Sequence, residues 1–155
     1  MSLAQPGLHL PVTGFFALPF AAYGIYLAGR VGLARISQKV LLGDRTPQQS
    51  GDGTSIASNG WKTSNDPLQQ ATRAHQNFVE YVPLALVLAG VAELNGADPK
   101  TLRNLLATLL AARVLHADFG LRQRDAHGIG RPLGFYATAV VTVWLGWLSA
   151  SLTWF

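Results

Sequence analysis

Arg73, Asn77, Glu80 and Tyr81 stand at i, i+4, i+7 and i+8 within the run Arg73-Ala-His-Gln-Asn77-Phe-Val-Glu80-Tyr81-Val-Pro83. At about 100° per residue they share one helical face, so a cation, an amide, a carboxylate and a phenol line a single stripe. That stripe opens a long apolar segment. Ionisable groups inside a membrane cost roughly 2.5–3.5 kcal/mol each on insertion scales, and they face a bundle interior or a site. Two further groups sit in comparable surroundings. Arg113 and His116, at i and i+3, share a face within another apolar run, and Arg131 precedes Pro132, a residue suited to the first position of a helix. A helix start beside an arginine is a natural anion site, because the unpaired N–H groups and the positive dipole end reinforce the cation. The chain has no cysteine. No disulfide, thiolate metal site or cysteine nucleophile is therefore available, and any sulfur chemistry must use sulfur carried by a substrate.

The elements that position these residues are apolar spans. Hydrophobic residues make up 49% of the 155 and charged residues only 13%, a membrane composition in a chain long enough for one domain, 1–155. Four runs, about 10–29, 78–95, 102–119 and 133–155, are each close to the roughly 20 residues needed to cross the hydrocarbon. The first and fourth carry no charge, whereas the second and third are interrupted by the polar residues above. The expected fold is all-α, an up-and-down four-helix bundle in the membrane. Residues from about 44 to 70, rich in Pro, Gln, Ser, Gly and Asn, read as a polar loop with Trp61 as its one large aromatic group. Trp144, Trp147, Trp154 and Phe155 lie in the outer half of the fourth span; Trp154 and Phe155 suit an interfacial belt, while Trp144 serves equally as apolar bulk.

Lysine and arginine set the expected orientation. Arg30, Arg35, Lys39, Arg45, Lys62 and Arg73 lie between spans one and two, and Arg122, Arg124 and Arg131 between spans three and four. Only Lys100 and Arg103 lie on the other side. The positive-inside rule then makes both basic loops cytoplasmic and both termini non-cytoplasmic, as in a multi-pass protein of a bacterial inner membrane or its equivalent. The first span lacks the basic stretch that precedes a signal peptide's apolar core. The same topology accounts for the basic loops without nucleic acid, and no metal-ligand spacing is present.

Each polar residue also has a plainer role to weigh. Arg30, Arg35, Arg122 and Arg124 serve as snorkelling topology markers, with Arg30 also a candidate binding cation. His75 falls on the face opposite Arg73 and reads as a boundary histidine. Glu93, also opposite, is expected to be exposed. Asp118 is expected to pair with Arg122 at i+4. For Arg113, a binding role and a structural ion pair are both open. One subunit offers few partners for Arg73, Glu80 and Arg113 together, so a homo-oligomer is expected.

The run from Arg73 to Pro83 resembles the signature of the MAPEG superfamily, the membrane-associated proteins of eicosanoid and glutathione metabolism. Ala112-Arg113-Val-Leu-His116 resembles its third helix and Arg131-Pro-Leu-Gly-Phe-Tyr136 the opening of its fourth. Leu42-Gly43-Asp44 and Glu93-Leu-Asn-Gly-Ala97 are most similar to the small bacterial branch. The resemblance covers about residues 10–155. It implies a trimer of four-helix subunits that binds glutathione between subunits at the cytoplasmic ends of the helices, with a lipophilic small molecule as second substrate. Carried over, Arg73, Asn77, Glu80 and Tyr81 would hold the tripeptide, Arg113 and His116 match helix-three positions that line the family's site, and Arg131 would stabilise the thiolate. Where the family's eicosanoid enzymes carry a tyrosine just past the His116 position, this chain has Phe119-Gly120.

The residue list suits that ligand. Glutathione carries two carboxylates, one ammonium and a thiol, which call for an excess of cations, one carboxylate, and amide or hydroxyl groups. The resemblance implies a glutathione-dependent transferase or peroxidase. A non-catalytic membrane scaffold binding lipid or glutathione in the same groove, and a small transporter subunit with an intramembrane polar site, are the alternatives.

Overall fold

The computed structural model describes residues 9–43, 66–123 and 128–153. Among them the chain is helical and contains no strand. In order it forms α1 (Pro11–Gln38), α2 (Pro67–Leu94), α3 (Pro99–His116), a π-helical turn (Ala117–Leu121) and α4 (Gly130–Ser151). The expected loop residues 44–65, with Arg45, Trp61 and Lys62, lie outside the described residues, as do Arg124, Trp154 and Phe155.

Three helices begin on proline, whose missing N–H and fixed φ suit the first turn. Asp66 caps α2 by accepting from the Leu68 amide at 2.9 Å, and Asp98 caps α3 by accepting from the Thr101 amide and hydroxyl at 2.8 Å each. Those bonds, the Thr101 amide foremost, hold the Asp98 carboxyl below the usual carboxylate range. α1 has no such local cap; Leu10 offers no side-chain oxygen. Its Val12 and Thr13 amides donate instead to the Glu93 carboxylate, at 2.7 and 2.8 Å. Glu93 was expected to be exposed; it is half-buried and supplies the missing cap from the far end of α2.

That contact sets the start of α1 level with the end of α2. The Ser149 hydroxyl donates to the Leu88 carbonyl at 2.8 Å and brings the end of α4 to the same level. The helices thus run up and down. α1 packs chiefly on α2 and α3 on α4, and contacts between α2 and α4 join the pairs. The core stripe of α1 is Val12, Phe16, Phe20 and Leu27, set against Ala74, Phe78, Val82, Ala85, Ala89 and Ala92 of α2. Small residues let the backbones approach, as membrane helices require where apolar burial gives little net drive. On the other side of α1, Phe15, Leu18, Ile25 and Leu33 are exposed. Apolar surface inside and out is what a lipid-embedded bundle presents.

α1, α2 and α4 are long and apolar enough to cross a membrane. α3, with Arg103, Asn104 and Arg113 along its length, is the less apolar member of the bundle. The boundaries differ from the sequence expectation at one end. α1 continues to Gln38, and α2 begins at Pro67 although its apolar span begins near residue 78. At 1.5 Å per residue these 28-residue helices are each about 42 Å long, against about 30 Å of hydrocarbon. Since they are level near Glu93, both surpluses fall at the opposite end. There Val40 and Leu68 are buried, and Lys39 ends α1 in the left-handed conformation, φ 56°.

Candidate functional site

The polar residues collect at that opposite end, around Arg113. Its side chain is only 2% exposed. Nη1 makes a short hydrogen bond to Oδ1 of Asn77 on α2, Nη2 donates to the Gly134 carbonyl on α4 at 2.7 Å, and the guanidinium lies 5.6 Å over the Tyr81 ring. Nε has no hydrogen-bond partner among the described residues. One buried cation thus ties three helices through neutral groups, with no ion pair to an acidic side chain among the described residues. Tyr81 packs edge-on against Phe135 of α4, with ring centroids 6.0 Å apart.

The approach of α4 to α3 depends on glycine. A Cβ at Gly134 would lie 2.4 Å from the Ala112 carbonyl oxygen and 2.7 Å from the His116 Cβ. With no side chain there, the Gly134 carbonyl comes within reach of Arg113. One turn on, His116 is buried, and its Nδ1 lies 2.9 Å from the Arg131 carbonyl, so Nδ1 carries the proton in this bond.

The four-residue stripe on α2 is therefore divided. Asn77 and Tyr81 are half-buried and turned to Arg113, whereas Arg73 and Glu80 are exposed on the subunit surface. The Glu80 carboxylate makes no hydrogen bond or ion pair among the described residues. The Arg131 side chain is exposed at the start of α4. A single subunit brings Asn77, Tyr81, Arg113 and His116 together. It leaves Arg73, Glu80 and Arg131 on its surface.

Arg30 belongs to a second cluster. Its Nη1 pairs with Asp118 Oδ1 at 2.9 Å, the Tyr23 hydroxyl donates to Asp118 Oδ2 at 2.8 Å, and the Tyr26 ring lies 5.7 Å from the guanidinium. The expected Asp118–Arg122 pair does not form. The α-helical i+4 spacing fails here because Ala117–Leu121 is a π turn, closed by the Arg122 amide on the Ala117 carbonyl at 3.1 Å. The carboxylate faces α1 instead, and Arg122 is exposed. Sequence reasoning missed Tyr23. The available signal was its i, i+7 spacing to Arg30 on one face of an otherwise uncharged span.

Comparison with known proteins agrees with this architecture. The model of the MAPEG family matches residues 13–151. The inner membrane protein YecN of Escherichia coli K12 and its counterpart in Escherichia coli O6:H1 are each 45% identical to this chain over 49 residues. That stretch is 32% of this chain and 37% of each relative. No solved structure gives a significant match.

Proposed function

Since the chain belongs to the MAPEG family, whose members are membrane proteins of glutathione-related transferase and peroxidase type, we propose that it is a glutathione-dependent transferase or peroxidase acting on a lipophilic electrophile. The observation that carries this reading is the buried Arg113 guanidinium with only neutral partners. A cation in that position is costly, and a ligand carboxylate nearby would offset the cost. Asn77 and Tyr81 hold the guanidinium in place. Arg73 supplies a second cation for an anionic ligand, and Glu80 supplies the carboxylate for an ammonium.

Glutathione, when bound, supplies the thiol that attacks the electrophile as its thiolate. A thiol of pKa about 8.5 is mostly protonated at neutral pH, and lowering that value by about 2 units takes about 2.7 kcal/mol of preferential anion stabilisation. Arg131 at the start of α4, beside the helix's positive end, is the residue assigned to that task. Glu80 is exposed on the subunit at a level where lipid would otherwise meet it, and Arg73 is exposed two turns nearer the helix start. This supports a homo-oligomer in which a neighbouring copy completes the site, a trimer by family resemblance. The positive-inside rule applied to the basic loops supports a cytoplasmic side for this end.

A binding scaffold without turnover is the second reading. It is favoured by Phe119 and Gly120, which stand where the family's eicosanoid enzymes have a tyrosine. Calorimetric titration of the detergent-purified protein with glutathione, followed by assay of conjugation to an apolar electrophile, tests both. Binding with turnover supports the enzyme; binding without turnover supports the scaffold. Absence of binding rejects both glutathione readings.

A further inference from the structure

Arg131 emerges from a main chain held at two points by the segment that ends α3. His116 holds its carbonyl at 2.9 Å. Gly120 lies against its backbone so closely that a Cβ there would be 2.4 Å from the Arg131 nitrogen and 2.6 Å from its Cα. Asp118 lies between those two points, and its carboxylate faces away from α4, toward α1. It receives Tyr23 on one oxygen and Arg30 on the other. Tyr23 and Arg30 are two turns apart on one face of α1, so the carboxylate bridges a rigid pair of anchors. The backbones of α1 and the π turn barely approach one another, and α1 makes little contact with α4. Side-chain bonds to Asp118 are thus the polar tie between α1 and the segment that carries Arg131, beside the apolar core that Leu27 shares with Ala117 and Leu121.

We infer that Asp118 is a positioning residue for Arg131: latched to Tyr23 and Arg30, it fixes the π turn and through it the start of α4. The inference rests on the assignment of Arg131 to the thiolate. It also gives Arg30 a different task from ligand binding, since its charge is already matched by Asp118. A preorganised cation stabilises a developing anion without having to reorganise, so loosening the latch acts on thiol ionisation more than on affinity.

The test compares the full chain with its Asp118→Asn variant, purified in detergent, by amide hydrogen exchange and by the ultraviolet thiolate absorbance of added glutathione. The expected result is exchange faster by about tenfold in residues 117–122 and also in 130–134, with 84–94 unchanged. Thiolate absorbance falls several-fold, while glutathione affinity stays within a few-fold. Asp98→Ala, which frays α3 at its other end, leaves 130–134 unchanged. If Asp118→Asn fails to fold, Tyr23→Phe removes one of the two bonds and gives the same pattern at smaller amplitude. Faster exchange confined to 117–122, or spread evenly through all helices, overturns the latch. So does loss of glutathione binding with ionisation of the remaining bound fraction intact. If the parent protein itself shows no thiolate, the Arg131 assignment fails, and the exchange pattern alone decides whether the latch exists.

Discussion

Arg113 and Asn77 meet across α3 and α2 through a single short hydrogen bond, and that bond places a neutral acceptor where a buried guanidinium would ordinarily have a carboxylate. An amide holds the arginine without cancelling its charge. The positive charge is left without a carboxylate partner among the described residues.

Changing the acceptor separates the two consequences. Asn77→Leu leaves Nη1 without a partner and lowers stability by about 1–3 kcal/mol, measured as the unfolding midpoint in detergent. Asn77→Asp has the opposite effect on stability, because it completes an ion pair. It nevertheless weakens glutathione binding by about tenfold or more, since the Arg113 charge is then matched internally. A variant both more stable and tighter-binding would show that Arg113 does not face an anionic ligand.

Glu80 and Glu93 lie on one helix and should fail in different ways. Glu80→Gln removes the exposed carboxylate offered to an ammonium, so affinity drops by about tenfold or more, the lower end of a typical 2–5 kcal/mol loss, and the unfolding midpoint hardly moves. Glu93→Gln weakens the cap on α1 and reduces stability by about 0.5–2 kcal/mol, leaving affinity unchanged. Equal effects of the two substitutions in both assays would contradict this division.

Arg131→Ala should leave glutathione affinity within a few-fold, because Arg73 and Arg113 remain. The bound thiol's pKa rises, and any conjugation rate falls by about tenfold for each unit lost. Lysine at 131 restores part of the rate, keeping the charge without the planar fork. Outright loss of binding in Arg131→Ala would reassign the residue to holding the tripeptide.

The seam between α3 and α4 is tested by a pair of alanines. Gly134→Ala drives a methyl group into the Ala112 carbonyl and costs about 1–3 kcal/mol, with Arg113 losing its bond to the Gly134 carbonyl. Gly29→Ala meets nothing within 4 Å and should be neutral or stabilising by up to about 1 kcal/mol. Thermal unfolding in detergent distinguishes them.

The absence of cysteine makes orientation easy to probe. Ser37→Cys and Lys100→Cys sit at exposed positions at opposite ends of the bundle. A membrane-impermeant maleimide added to spheroplasts should label position 100 and spare position 37. The reverse pattern would invert the proposed topology.

Helix type and the residues of interest are legible in the sequence because each leaves a periodic or compositional trace. The stripe from Arg73 to Tyr81 is visible as spacing, and the family match over residues 13–151 agrees with the resemblance it carries. The start of α2 is legible only through Asp66-Pro67, a cap and first-turn pair easily lost beside a polar run. The rest is tertiary. Nothing local reveals that Glu93 caps α1, that Asp118 turns from Arg122 to Arg30, or that a π turn intervenes. Each depends on which distant backbone happens to lie opposite. The division of the stripe, with Asn77 and Tyr81 inside and Arg73 and Glu80 outside, follows from where α3 and α4 pack, which helical spacing alone does not specify.

The borrowed cap on α1 bears on how the chain is built. α1 cannot complete its own opening turn; the carboxylate that does so is 81 residues downstream of Val12. Until α2 has been made, the Val12 and Thr13 amides have no acceptor, and only Arg30 and Arg35 near the other end of α1 mark its depth. Arrival of Glu93 supplies the second mark. The hairpin of α1 and α2 thus has its vertical register pinned at one rim by a single side chain.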